Sequence, residues 1–191
     1  MSTKYILVGG YVQKAEDKGK AFCEELISGI DKKSIKILDC MFARPIEAWE
    51  ETFEKDKIFF TKYIKNFELE LAQIENFTEQ VKNSDVIFIR GGHTDPLINI
   101  LNKNQSWIKE LEGKTLAGTS AGANVIVKYF YGLNSHVIKE GFGLTSAKVI
   151  VHWKSEEYNV NWDKSLEDLK NYKEELRVYA LKEGEFMVIN N

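Results

Sequence analysis

The sequence predicts an α/β fold, a three-layer sandwich in which helices cover both faces of a mostly parallel sheet. Short apolar runs typical of buried strands alternate with segments whose apolar residues recur at helical spacing. Two of these runs, residues 5–8 and 85–90, lead directly into paired glycines, as expected where a buried parallel strand ends in a loop. No repeat, linker or low-complexity segment divides the chain, so residues 1–191 are expected to form a single domain.

Each element is predicted from one of these two patterns. Because proline is favourable in the first turn of a helix, Arg44-Pro45 is expected to open a long helical stretch. Asp95-Pro96 is expected to open another, with Asp95 as its N-cap. In chain order, the sequence predicts strand 5–8, helix 22–30, strand 34–40, one helix or two over 45–67, strand 67–71, helix 78–84, strand 85–90, helix 95–101, helix 107–111, strand 115–117, a helix that includes 125–127, strand 148–151, helix 163–175, strand 177–181 and strand 186–189.

The composition excludes several classes of protein. A net charge of −3 and the lack of a lysine and arginine cluster argue against nucleic-acid and membrane partners. The only two cysteines, Cys23 and Cys40, lack metal-ligand spacing and are expected to be buried thiols. No nucleotide-binding fingerprint is present, so we expect neither cofactor nor metal. With no signal peptide and no apolar stretch near the roughly 20 residues that cross a bilayer, we expect a cytoplasmic protein.

Residues 118–124, with the sequence Gly-Thr-Ser-Ala-Gly-Ala-Asn, lie between two apolar runs. A Gly-x-Ser-x-Gly motif between a strand and a helix is the pattern of a nucleophile elbow, where a tight turn holds the serine in strained backbone geometry. The following helix directs its first N–H groups towards the hydroxyl. We interpret Ser120 as a candidate nucleophile, the alternative being that small residues only close a tight turn.

Three features are predicted at the carboxyl ends of strands, where ligands bind in doubly wound sheets. They are Gly91-Gly92, the elbow, and His152 at the end of strand 148–151. For acyl transfer, Ser120 would supply the hydroxyl and His152 the base, and the N–H groups of Ala121 and Gly92 would hold the oxyanion. Alternatively, His152 is structural, the glycines form a turn or an anion nest, and His136 is a rival base.

Together these residues resemble the dipeptidase E family of serine peptidases, which includes aspartyl dipeptidases and cyanophycinases. The resemblance implies a fold like that of class I glutamine amidotransferases, with serine in place of the elbow cysteine. It also implies a small peptide substrate, Ser120 as nucleophile, His152 as base, and Gly92 and Ala121 as the oxyanion hole. The matching segments are residues 85–89 with Gly91-Gly92-x-Thr94, then Gly118-x-Ser120-Ala121-Gly122-Ala123, then Gly141-x-Gly143-Leu144 before the strand that ends at His152.

The third member of the catalytic triad is open. The family's acidic member falls in the loop after the elbow helix, where this sequence has Asn134. Asn134 is therefore a candidate to orient His152 as an amide, with Glu140 and Glu156 as alternatives. The arginine with which aspartyl dipeptidases are expected to bind substrate carboxylates has no counterpart after His152, where Lys154 is the nearest cation.

Two functional hypotheses follow. The first is a serine hydrolase that cleaves small peptides or related amides through an acyl-enzyme on Ser120. The alternative is a catalytically impaired homologue that binds small molecules or peptides and acts as a regulatory protein. An ordinary α/β-hydrolase is disfavoured, because its Ser…Asp…His order spans more sequence after the elbow. The oligomeric state, monomer or homodimer, is left open.

Overall fold

The computed structural model describes residues 2–190, which form two sheets and their covering helices. The strands are β1 (Lys4–Val8), β2 (Ile35–Cys40), β3 (Phe67–Leu71), β4 (Val86–Ile89), β5 (Thr115–Thr119), β6 (Val127–Gly132), β7 (Val137–Glu140), β8 (Thr145–Ile150), β9 (Arg177–Ala180) and β10 (Phe186–Asn190). The α-helices are α1 (Lys20–Ile27), α2 (Trp49–Thr61), α3 (Phe77–Asn83), α4 (Thr94–Asn102), α5 (Ala121–Ile126) and α6 (Trp162–Asn171). Short 3-10 helices lie at Val12–Lys14, Ile46–Ala48 and Gln105–Leu111.

The larger sheet has the order β10-β1-β5-β4-β2-β3. Its strands are parallel except for β10, which pairs antiparallel with β1. Side chains alternate between the two faces: Ile6 packs in one core with Phe22 and Phe60 from α1 and α2, whereas Leu7 packs in the other with Leu97 from α4. Both faces are therefore covered, and the predicted α/β class is confirmed.

The smaller sheet has the order β7-β6-β8-β9, and the sequence analysis missed two of its strands. The apolar run 125–127 was assigned to the elbow helix, but α5 ends at Ile126 and β6 begins at Val127. β6 pairs antiparallel with β7 and parallel with β8. This sheet extends the structure beyond the elbow and brings the end of β8, and hence His152, back towards β1.

Several predicted helix boundaries differ from the structure. The stretch 45–67 forms a 3-10 turn and then α2, which ends at Thr61, and α6 ends at Asn171 rather than at residue 175. The predicted N-cap Asp95 is wrong, because α4 already begins at Thr94 and the Asp95 carboxylate is 2.7 Å from Lys139 Nζ on β7. Cys23 and Cys40 are buried, free thiols, as predicted. Within residues 2–190, no helix has the length and apolar character needed to span a bilayer.

Candidate active site

Ser120 occupies a strained turn between β5 and α5. Its backbone has φ 51° and ψ −109°, a conformation that costs a residue other than glycine about 1–3 kcal/mol. The turn is tight enough that a Cβ on Gly118 would lie 2.2 Å from the carbonyl carbon of Gly122. The predicted elbow geometry therefore depends on glycine at this flank, and it leaves the Ser120 side chain at the carboxyl edge of the larger sheet.

His152 follows β8 and faces Ser120. Its Nε2 lies 3.0 Å from Ser120 Oγ, and only 5% of the residue is exposed. Like Ser120, it has a positive φ, of 51°. The imidazole lies between two aromatic rings, with centroid distances of 5.5 Å to Tyr11 and 5.2 Å to Tyr158. These contacts fix the ring plane with one nitrogen directed at the hydroxyl.

The other ring nitrogen, Nδ1, lies 3.1 Å from Oε1 of Glu183, in the turn between β9 and β10. Glu183 also accepts hydrogen bonds from Lys14 and, at 3.3 Å, from the Ser155 hydroxyl. Partial burial opposes its charge, but the hydrogen bonds from Lys14 and His152 outweigh burial and lower the pKa of Glu183 below its ordinary value. An ionised Glu183 accepts a hydrogen bond from the Nδ1–H group, and this tautomer leaves Nε2 free to accept a proton from Ser120.

Three consecutive carbonyl groups at the end of β1 hold the loops that carry these side chains. Val8 O accepts the Ser120 N–H at 3.0 Å, Gly9 O accepts the His152 N–H at 2.8 Å, and Gly10 O accepts the N–H of Gly184, next to Glu183, at 2.7 Å. Gly10 has φ 134°, and a Cβ at this position would lie 2.3 Å from Cε1 of the His152 ring. The segment 8–10 is therefore the common support of the site.

The sequence predicts that the backbone N–H groups of Ala121 and Gly92 stabilise an oxyanion. Ala121 opens α5, so its N–H has no acceptor within the helix. Gly92 follows β4 and lines the same cavity as Ser120. The loops that carry these two N–H groups lie at the same edge of the sheet.

The proposed partners for His152 need correction. Asn134 lies in the β6–β7 turn and lines a cavity beside Ser120, but the two ring nitrogens of His152 meet Ser120 and Glu183 instead. Glu140 pairs with Lys173, and Glu156 is exposed. Glu183 lies between the predicted strands 177–181 and 186–189 and was not a candidate, although it follows β9, which is parallel to β8. The carboxyl ends of neighbouring parallel strands meet at one edge, and that was the available signal.

His136 and Lys154, also considered from the sequence, have no part in these contacts. His136 is exposed in the β6–β7 turn with φ 54°, where it lines a different cavity, next to α6. The Lys154 ammonium lies over the Trp153 ring, 5.5 Å from its centroid.

Two cavities flank Ser120, and both are bordered by Gly92 and Tyr158. One, of about 280 Å³, extends over α4 and the β6–β7 turn and includes Asn124, Phe130 and Asn134 in its lining. The other, of about 210 Å³, extends under Tyr11 and includes Arg44, Arg90 and His152. A substrate bound across Ser120 would therefore place a different part in each cavity.

A serine on a strand–turn–helix elbow, joined through an imidazole to a carboxylate, is the arrangement of a serine hydrolase. The sequence model of peptidase family S51 matches residues 42–191. The chain therefore belongs to peptidase family S51, the dipeptidase E family, and is a serine-type peptidase, so the predicted resemblance and the predicted class of enzyme are confirmed.

Solved structures share this fold. A peptidase from an acI-B1 actinobacterium superposes with a TM-score of 0.71 at 22% identity, over 99% of this chain and 84% of that one. A candidate peptidase E protein from Listeria monocytogenes EGD-e superposes with a TM-score of 0.72 at 16% identity, over 100% of this chain and 98% of that one. At these identities the likeness establishes the fold alone. Curated protein sequences gave no match.

Proposed function

We propose that this peptidase hydrolyses short peptides through an acyl-enzyme on Ser120, with His152 as general base and Glu183 as the carboxylate that orients it. The observation that supports this proposal is an unbroken line of contacts. Ser120 Oγ lies 3.0 Å from His152 Nε2, and His152 Nδ1 lies 3.1 Å from Glu183 Oε1. The first distance suits transfer of the Ser120 proton to His152, and the second suits orientation of the imidazole by Glu183.

In the first step, Ser120 Oγ attacks the substrate carbonyl carbon while its proton passes to His152 Nε2. Glu183 accepts the Nδ1–H hydrogen bond and stabilises the imidazolium that forms. The negative charge that develops on the carbonyl oxygen is held by the N–H groups of Gly92 and Ala121, each such donor being worth about 3 kcal/mol of barrier.

Collapse of the tetrahedral intermediate breaks the C–N bond, and the leaving amine takes the proton from His152 Nε2. Water then enters, gives a proton to the same nitrogen and attacks the acyl carbon. When the C–O bond to Ser120 breaks, the proton returns to Oγ. No redox change occurs, and the net reaction adds one water across the amide.

The cavity sizes support a short substrate. Volumes of about 280 and 210 Å³ lie below the range of about 300–1,000 Å³ that is usual for sites of drug-sized ligands. Two cavities of this size on either side of Ser120 suit a short peptide rather than a long one. The cytoplasm is the location we infer, since Cys23 and Cys40 remain free thiols, the state maintained in reducing compartments.

A fluorophosphonate probe, which labels activated serines, tests the proposal. We expect the wild type to be labelled at Ser120, as mapped by peptide mass spectrometry, and to hydrolyse members of a dipeptide panel. Ser120→Ala should lose both properties. Ser135→Ala is the matched control, because Ser135 is an exposed serine that lines the neighbouring cavity. Labelling or turnover that persists in Ser120→Ala would exclude the acyl-enzyme. No observation favours the catalytically impaired alternative.

A further inference from the structure

The cavity of about 210 Å³ beside Ser120 is lined by two of the three arginines in the chain. Arg44 comes from the segment after β2 and Arg90 from the end of β4. In sequence, the nearest cation after His152 is Lys154. The fold instead supplies two guanidinium groups from distant parts of the sequence, next to the reacting serine.

The two arginines differ in their ion pairing. Arg90 Nε lies 3.0 Å from Asp56 Oδ2 in an ion pair without hydrogen-bond geometry, and Arg44 Nε is buried with no hydrogen-bond partner within residues 2–190. A second carboxyl, Asp39, is fully buried beside the group, and burial together with the Asp56 charge raises its pKa well above the ordinary value. Burial therefore disfavours the ionised form of the carboxyl that lies beside the two guanidinium groups.

The net effect of its surroundings opposes the positive charge of Arg44. Burial, followed by the neighbouring charge of Arg90, lowers the pKa of its guanidinium. An anion that enters the cavity would offset the mutual repulsion of Arg44 and Arg90, which both line it. Guanidinium groups bind carboxylates through paired, charge-assisted hydrogen bonds, so a carboxylate is the anion that a peptide substrate can offer here.

The position of His152 indicates which part of the substrate enters this cavity. His152 lines the arginine cavity but not the cavity over α4. The leaving amine takes its proton from His152 Nε2 and must lie next to the imidazole at that moment. The arginine cavity therefore receives the leaving side of the substrate, and the cavity over α4 receives the acyl side.

We infer that Arg44 and Arg90 bind a carboxylate carried by the leaving amino acid, so that preferred substrates release a residue whose carboxylate lies close to the scissile bond. The free α-carboxylate of a C-terminal residue and an acidic side chain on that residue are the two sources of this group. The inference rests on the proposed function, because it assigns the leaving side from the role of His152.

Pairs of dipeptides with the same sequence, one ending in a free carboxylate and the other in a carboxamide, test whether the arginine cavity binds a carboxylate. We expect wild-type kcat/KM to be about 10- to 100-fold higher for the free acid, the range for hydrogen bonds to a charged group. Arg44→Gln should abolish this preference, so that the ratio of kcat/KM for the free acid to kcat/KM for the amide falls to about 1. Arg44→Lys should restore part of it, because an ammonium supplies charge without the fork. Arg177→Gln, which changes the arginine outside the cavity on β9, should have no effect.

Two further substrates identify the source of the carboxylate. If the C-terminal amide regains high kcat/KM when the leaving residue is aspartate, the acidic side chain is a source, and Arg44→Gln should remove that gain. If Arg44→Gln instead weakens only substrates with an acidic residue on the acyl side, the assignment to the leaving side is overturned. Equal wild-type kcat/KM for free acids and amides, with or without acidic leaving residues, also overturns it.

A second test needs neither a substrate nor a variant: it measures whether a small carboxylate protects Ser120 from labelling by the fluorophosphonate probe. Leucine, which carries the α-carboxylate, should slow labelling of the wild type at concentrations where leucinamide does not, and aspartate amide tests the side chain. If Ser120 is labelled but neither carboxylate protects it, the carboxylate site is overturned while the proposed function stands. If Ser120 is not labelled at all, the proposed function fails first, and this inference fails with it.

Discussion

Replacement of Gly10 by alanine should disable the enzyme through a single methyl group. A Cβ at this position would lie 2.3 Å from Cε1 and 2.8 Å from Nδ1 of the His152 ring. Ordinary van der Waals contact begins near 3.4 Å, so the imidazole must retreat by about 1 Å or more. The ring nitrogens lie 3.0 and 3.1 Å from their partners on Ser120 and Glu183, and a displacement of this size breaks at least one of these contacts.

A misplacement of about 1 Å at a reacting group can cost about 100-fold in rate. We therefore expect Gly10→Ala to lower the second-order rate of fluorophosphonate labelling, and kcat/KM for a dipeptide, by at least that factor. The side chains of Ser120, His152 and Glu183 all remain in the variant. The expected loss therefore measures geometry rather than the removal of a reacting group.

Gly29→Ala is the matched control for this prediction. Gly29 also has a positive φ, of 80°, but a Cβ there would meet nothing within 4 Å. Both substitutions place alanine in a conformation that favours glycine, at a cost of about 1 kcal/mol in folding free energy, but only Gly10→Ala meets the imidazole. Thermal unfolding checks that both variants fold. If Gly10→Ala is folded and labels as fast as Gly29→Ala, the contact between the β1 segment and the imidazole does not control the site.

Three further predictions follow from the site and the core. Glu183→Gln should lower kcat/KM by about 100- to 10,000-fold, because an amide does not stabilise the imidazolium of His152. The loss is measured from kcat/KM as a function of pH for the purified variant and wild type. An unchanged profile would rule out Glu183 as the orienting group. Lys14→Met should destabilise the protein at pH 7 and progressively less below about pH 4. Lys14 depresses the pKa of Glu183, and the stability contributed by ionised Glu183 is lost as pH falls through its folded pKa. Urea unfolding at several pH values tests this prediction, and a pH-independent difference between variant and wild type contradicts it. Phe60→Ala should lower the free energy of unfolding by about 3–5 kcal/mol, because Phe60 is fully buried against Phe88. Ile58→Ala, at an exposed position of the same helix, is the control in the same unfolding assay. Equal losses in the two variants would refute the packing argument.

Sequence patterns could predict the elements whose burial is regular. The run 5–8 and the run 85–90 became β1 and β4 because both faces of these strands are buried, which requires continuous apolar sequence. Ser120 was predictable because a strained elbow admits few residue types on its flanks. His152 was found through its position at a strand end, since parallel topology brings such ends together.

The features that escaped prediction depend on long-range pairing. β6 continues directly from α5, so no turn residue marks the boundary, and its Val127 was assigned to the preceding helix. Glu183 lies 31 residues from His152 in sequence, and nothing local distinguishes it from other glutamates in turns. Arg44 and Arg90 likewise meet only because β2 and β4 are neighbours in the larger sheet.

The residues that match the family model begin at position 42, after β1 has ended. A polypeptide cut at that boundary would retain the nucleophile, the imidazole and the carboxylate, yet lack the three main-chain acceptors that keep their loops in register. Those acceptors are peptide oxygens, which most amino-acid exchanges leave untouched, so the framework of the site can persist while the sequence around it diverges. Inserting or deleting a single residue between positions 8 and 10 would instead shift every acceptor at once. Changes of residue type are restricted at both glycines of this stretch, because a Cβ would lie 2.1 Å from Lys182 O at Gly9 and 2.3 Å from His152 Cε1 at Gly10.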